Sequence, residues 1–201
     1  MHSLTIQRTF YEPPPDLARD RFDRADGALS GMLDETGKTW TAHSDYTVTS
    51  NQLDGGQTSN VTAWLPVGSS QVKVSAKLVA YNTAGNVRRP GLIARHTDDS
   101  NYILALMSPD TSEVLIYKNV AGSFTSLGTY TATITQGTEY PIALVTTINN
   151  VLMVYFQKVL ILSVTDSAGS TNTNAGIRQG VALLPVVATE MADDFLVTRL
   201  R

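Results

Sequence analysis

Val72-Lys73-Val74-Ser75-Ala76-Lys77-Leu78-Val79 alternates with a strict period of two. Successive side chains of an extended chain point to opposite faces, so this octapeptide reads as a strand with one face in a core and the other in water. Shorter β-prone runs flank it. Tyr46-Thr47-Val48-Thr49 and Asn60-Val61-Thr62-Ala63-Trp64-Leu65 precede it, and Gly91-Leu92-Ile93-Ala94-Arg95, Tyr102-Ile103-Leu104-Ala105-Leu106, Glu113-Val114-Leu115-Ile116-Tyr117-Lys118 and Gly128-Thr129-Tyr130-Thr131-Ala132-Thr133 follow. Short strands separated by turn residues at a spacing of roughly ten suit a sandwich or barrel.

Three more apolar runs, 140–145, 151–156 and 159–164, are joined by Asn149-Asn150 and Gln157-Lys158, connections short enough to make consecutive hairpins. The stretch 165–176 is too poor in apolar residues to pack and reads as a surface loop. The chain then runs through Gly180-Val181-Ala182-Leu183-Leu184 to Asp194-Phe195-Leu196-Val197, where Phe195 and Val197 share one face. A strand is also expected around Phe22.

Composition agrees with an all-β chain: 201 residues, 42% hydrophobic and only 16% charged, enough for one core. The net charge is −3 and the fifteen Lys and Arg are scattered, which leaves no basic stripe for a phosphate backbone and argues against a nucleic-acid partner. Without cysteine, disulfides, thiolate metal sites and cysteine nucleophiles are excluded. The N-terminal residues lack the apolar run of a signal peptide, and no segment approaches the length of an apolar membrane span, so neither export by the general secretory route nor membrane insertion is expected.

Residues 1–15 stand apart. Leu4, Ile6, Phe10 and Tyr11 precede Glu12-Pro13-Pro14-Pro15, a stiff extended spacer. A short alternating segment of this kind has unpaired backbone groups unless another chain pairs them, so 1–15 reads as an assembly arm and 16–201 as the domain.

The segments Asp20-Arg21-Phe22-Asp23-Arg24-Ala25-Asp26-Gly27, Thr39-Trp40, Gly91-Leu92-Ile93-Ala94-Arg95 with Asn101-Tyr102-Ile103-Leu104, and Asp194-Phe195-Leu196-Val197 together resemble the concanavalin A-like lectin/glucanase jelly rolls, in particular the laminin-G-like domains of bacteriophage tail proteins. The resemblance implies an antiparallel two-sheet β-sandwich in which the closing strand lies beside the opening one. It also implies a lectin-like concave face for Arg95, Asn101, Tyr102 and Tyr117, and a structural Ca²⁺ held by Asp20, Asp23, Asp193 and Asp194 where the chain ends meet. No other cofactor is expected.

Catalysis finds little footing. Retaining hydrolases need two carboxyls about 5 Å apart, supplied on this fold by a Glu-x-Asp-x-x-Glu strand, and the sequence lacks that motif. The nearest cluster is Glu190 with Asp193 and Asp194, expected at a turn entering the last strand. His2, His43 and His96 lie near no nucleophile-elbow sequence and read as exposed or hydrogen-bonded structural residues. The expectation is therefore a non-catalytic virion protein of a bacteriophage, tail-associated or decorating the particle. Its partners would be other virion proteins or further copies of itself, docked through the arm. The alternative is a carbohydrate-binding module for host-surface glycans, and a glycoside hydrolase stands third.

Overall fold

A computed structural model describes residues 15–55, 61–83, 86–181 and 189–200. The expected arm residues Leu4, Ile6, Phe10 and Tyr11 lie outside them. All strand pairings are antiparallel and fall into two sheets. The first sheet holds β1 (Asp16–Asp20), β2 (Gly27–Ala28), β4 (Thr47–Thr49), β5 (Gln52–Gly55), β7 (Val72–Val79), β13 (Glu139–Thr146), β14 (Val151–Phe156), β15 (Val159–Thr165) and β17 (Thr189–Arg199). The second holds β3 (Thr41–Ala42), β6 (Val61–Pro66), β8 (Tyr81–Thr83), β9 (Asn86–Asp98), β10 (Asn101–Ser108), β11 (Glu113–Val120), β12 (Ser123–Thr131) and β16 (Asn174–Val181).

The first sheet is ordered β15-β14-β13-β7-β17-β5-β4-β2, with β1 also on β17, and the second β12-β11-β10-β9-β16-β6-β3, with β8 on β9. This is a sandwich of the expected kind. Strand β7 shows why: Val72, Val74, Ala76 and Leu78 enter the common core while Lys73 and Ser75 face outward. The hairpin turns are tight. Gln157 and Lys158 adopt φ of 50° and 68°, the left-handed conformation that matches a two-residue turn to the twist of its strands, and Asn150, at φ 60°, ends the 147–150 turn. The polar stretch shortens to a loop at 166–173, because β15 runs to Thr165 and β16 begins at Asn174.

Closure is as the alternation of Phe195 and Val197 requires: β17 pairs with β1, setting Asp20 opposite Phe195, and both apolar side chains are fully buried. The opening strand ends earlier than expected. Phe22 is not in a strand; its φ is 56° and its N–H donates to Asp20 Oδ1 at 2.7 Å, so the Asp20 carboxylate turns the chain and drops the ring into the core. There Trp40 lies between the two phenylalanines, with ring centroids 6.2 Å from Phe22 and 5.1 Å from Phe195.

A candidate ligand-binding face on the second sheet

Alternation gives the second sheet two apolar faces. Ala63, Leu65, Leu92, Ala94, Ile103, Ala105, Val114, Ile116 and Ile177 enter the common core. Their neighbours Ile93, Tyr102, Leu104, Leu106 and Leu115, with Trp64 and Tyr117 packed against them, form a separate cluster on the outward side. Water-facing sheet surfaces are ordinarily polar, so this second apolar layer marks the face as specialised.

Rings cover that layer in a continuous arc. Trp64 on β6 lies 5.3 Å from His96 on β9, His96 stacks 6.0 Å from Tyr102 on β10, and Phe124 on β12 meets both Tyr102 and Tyr117 edge-on at 6.2 Å. The Arg178 guanidinium on β16 sits 5.2 Å from the Phe124 centroid. Those two strands are four steps apart, about 19 Å on a flat sheet, which is more than the two side chains span. The sheet must therefore curl toward the arc, and the face is concave. Gly176 lets Trp64 approach: it sits between Ile93 and Trp64 in register, and a Cβ there would fall 1.9 Å from the Ala63 carbonyl oxygen.

The face has polar capacity as well. Burial pushes the His96 imidazole down to about 4, against the opposing pull of Asp99 and Asp98, so the ring is neutral at neutral pH. Its Nε2 lies 3.4 Å from Thr62 Oγ1, which also donates to Asp99. The Tyr102 hydroxyl, Asn119 Oδ1 and His96 Nδ1 are buried and lack a hydrogen-bond partner among the described residues. Tyr102 and Asn119 line a pocket of about 170 Å³ at the rim of the face, closed by Asn101 and by Gly169 and Asn172 of the 166–173 loop.

Of the four expected ligand residues, Tyr102 and Tyr117 belong to the arc and Asn101 lines the rim pocket. Asn101 is also structural, since Nδ2 donates to Asp98 and Oδ1 accepts from the Ala121 N–H. Arg95 does not belong to the face. It is 2% exposed, and its guanidinium donates to the carbonyls of Thr147, Asp166 and Ala168, pinning the loop to the sandwich end. Trp64, His96, Asn119, Phe124 and Arg178 were missed; the available signal was the alternation in 60–65 and the placing of Arg178 two residues beyond Gly176.

The expected Ca²⁺ ligands do not converge. Asp20 accepts from Phe22 N–H, Trp40 Nε1 and Arg24; Asp194 pairs with Lys77 at 2.6 Å. Asp23 is exposed, and the described residues contain no group of three or more His, Asp or Glu that suits a metal. Burial raises the Asp193 carboxyl above the ordinary carboxylate range, with the Asp194 charge adding to it. Both acids lie on β17 of the first sheet, away from the ring arc.

By sequence, the chain matches no protein-family profile and no curated protein. By fold it is similar to the carbohydrate-binding module CBM66 of Bacillus subtilis, at 14% identity over 86% of this chain and 99% of that one, with a TM-score of 0.63. It is also similar to domain 4 of AbnA, an extracellular GH43 arabinanase of Geobacillus stearothermophilus solved with arabinotriose, at 19% identity over 94% of each chain and a TM-score of 0.58. A third is a Bacillus subtilis protein of unknown function with a galectin-like fold, at 11% identity over 93% of this chain and 98% of that one, TM-score 0.57. At such identities the likeness is one of fold: a lectin-like jelly roll.

Proposed function

We propose that this chain is a non-catalytic carbohydrate-binding module whose concave second sheet takes a neutral saccharide. The arc of Trp64, Tyr117 and Phe124 over a curved apolar layer, with Arg178 above it, carries the reading. Sugar rings present C–H faces that pack on aromatic faces, and their hydroxyls need donors and acceptors such as Arg178 and the Tyr102 and Asn119 atoms at the rim. Two of the fold neighbours are a carbohydrate-binding module and a domain complexed with arabinotriose, which is consistent with that use of the fold.

Hydrolysis would need two free carboxyls facing the sugar. Near the face, Asp98 is held by Ser100 N–H and Asn101, and Asp99 by Thr62. The virion role expected from the sequence came from the resemblance to bacteriophage tail domains, with docking through an arm that lies outside the described residues; the residues that are described favour a ligand face.

Affinity electrophoresis through gels of neutral polysaccharides tests the reading. At least one polymer is expected to retard the protein without being shortened, and Trp64→Ala or Phe124→Ala should each weaken binding about tenfold, the worth of one ring in a stacked contact. Retardation by none of a broad panel, or retardation indifferent to both variants, would overturn it.

A further inference from the structure

The outward face of the first sheet carries a second groove. Tyr155 on β14 faces Ala143 on β13, Ala143 faces Ser75 on β7, and Ser75 faces Leu196 on β17. Two small side chains between two large ones leave a trough. Its volume is about 340 Å³, floored by Ser75 and Ala143 and walled by Tyr155 and Pro141, with Lys73 and Lys158 at its margins.

The trough also carries exposed positive charge. Lys77, on the same side of β7, is neutralised by Asp194 at 2.6 Å. Lys73 and Lys158 are exposed and have no ion-pair partner among the described residues. The trough therefore holds two uncompensated positive charges beside an aromatic ring, in a chain whose net charge is −3.

Lys158 is also held there against its own backbone preference. It takes φ 68° and Gln157 φ 50°, whereas the neighbouring hairpin places Asn150 at its left-handed position. Left-handed backbone is cheap for Gly or Asn and unfavourable for a long side chain. The two-residue turn between Phe156 and Val159 requires that conformation, and it fixes Lys158 at the lip of the groove.

We infer that this trough is a second, anion-selective saccharide site, built for a sugar unit that bears a negatively charged substituent. Tyr155 and Pro141 pack against the ring, and Lys73 and Lys158 take the charge. The inference rests on the reading of the chain as a saccharide binder, and it adds an anionic ligand class to the neutral one proposed for the concave face. A carboxylate of a uronic acid and a sulfate ester share this chemistry.

Affinity electrophoresis of the full chain in polygalacturonate, dextran sulfate and uncharged dextran separates the alternatives. At low salt, retardation by polygalacturonate, by dextran sulfate or by both is expected, and which polymer acts identifies the anion. Because the chain is acidic overall, general attraction to a polyanion does not supply this. Lys73→Ala with Lys158→Gly should weaken retardation about fivefold, as for two exposed ion pairs, and Tyr155→Ala should weaken it further, while Trp64→Ala leaves it unchanged. Lys158→Gly alone should keep or raise the melting temperature, so its loss of binding is not misfolding. No retardation by either polyanion, or retardation that survives the double substitution, overturns the second site. Failure in neutral polymers, or insensitivity to Trp64→Ala there, concerns the concave face alone.

Discussion

His96 occupies the outward position on β9 that strict alternation from Ile93 would give to Arg95. Arg95 adopts φ 52°, and the pairing with β16 slips there by one residue, from Ile93 opposite Gly176 to His96 opposite Asn174. One extra residue in a strand reverses the facing of everything beyond it. Arg95 is thereby turned to the sandwich end, where three backbone carbonyls receive its guanidinium, and His96 enters the ring arc.

Arg95 is accordingly a structural residue, and Arg95→Ala should show it. Removing a buried cation that satisfies the carbonyls of Thr147, Asp166 and Ala168 leaves those groups unpaired, at about 3 kcal/mol. Urea denaturation should report that loss, with faster proteolysis in the 166–173 loop. An unaltered denaturation midpoint together with lost saccharide binding would instead return Arg95 to the ligand site.

His96 makes stability depend on pH. The unfolded chain protonates this imidazole near 6.5 and the fold only near 4, so between those values the unfolded state binds the additional proton. The full contribution is present above pH 6.5 and is lost as pH falls toward 4, amounting to at most about 3 kcal/mol. Denaturation series from pH 7 to 4 on the wild type and on His96→Gln isolate it: the difference between the two proteins should shrink or reverse as the pH falls. A constant difference across the range would show that His96 does not titrate as its burial dictates.

The strands themselves were legible because one-sided burial writes alternation into sequence, as in 72–79, and because Asn149-Asn150 and Gln157-Lys158 are too short for anything but hairpin turns. The pairing of opening and closing strands was legible through the similar settings of Phe22 and Phe195. The facing of individual aromatics was not. Trp40 and Trp64 look alike in sequence, yet Trp40 is core and Trp64 lies on the concave side. Which apolar face of the second sheet meets the first is decided by pairing between distant strands. The bulge at Arg95 carries no local signature, so alternation pointed to Arg95 at the outward position that His96 occupies. Asp20 misled for a different reason: a carboxylate near a chain terminus looks like a metal ligand until its donors are seen.

Those donors make Asp20 a stability residue. It is fully buried and accepts from Phe22 N–H and Trp40 Nε1, each at 2.7 Å, and from Arg24. Asp20→Ala would strand all three donors, so a loss of about 3–5 kcal/mol is expected. For a domain of this length that corresponds to roughly 6–20 °C in melting temperature, and Trp40 emission should shift as its indole N–H loses its partner. Added Ca²⁺ should not restore the loss.

Gly176 offers a way to move Trp64 without touching it. An alanine methyl at this position would lie 1.9 Å from the Ala63 carbonyl oxygen and 2.7 Å from Trp64 Cα, both of them backbone atoms that cannot rotate aside. Strands β6 and β16 would have to part, and overpacking of this severity costs about 3 kcal/mol. Trp64 would shift off the arc, so Gly176→Ala should lower both the melting temperature and the affinity for a neutral saccharide. Gly128→Ala is the matched control. Its methyl would meet Leu162 Cδ2 at 3.4 Å and Ile116 Cγ2 at 3.5 Å, ordinary contact distances, so stability and binding should stay near wild type. Equal behaviour of the two variants would mean that the close approach at Gly176 does not position the indole.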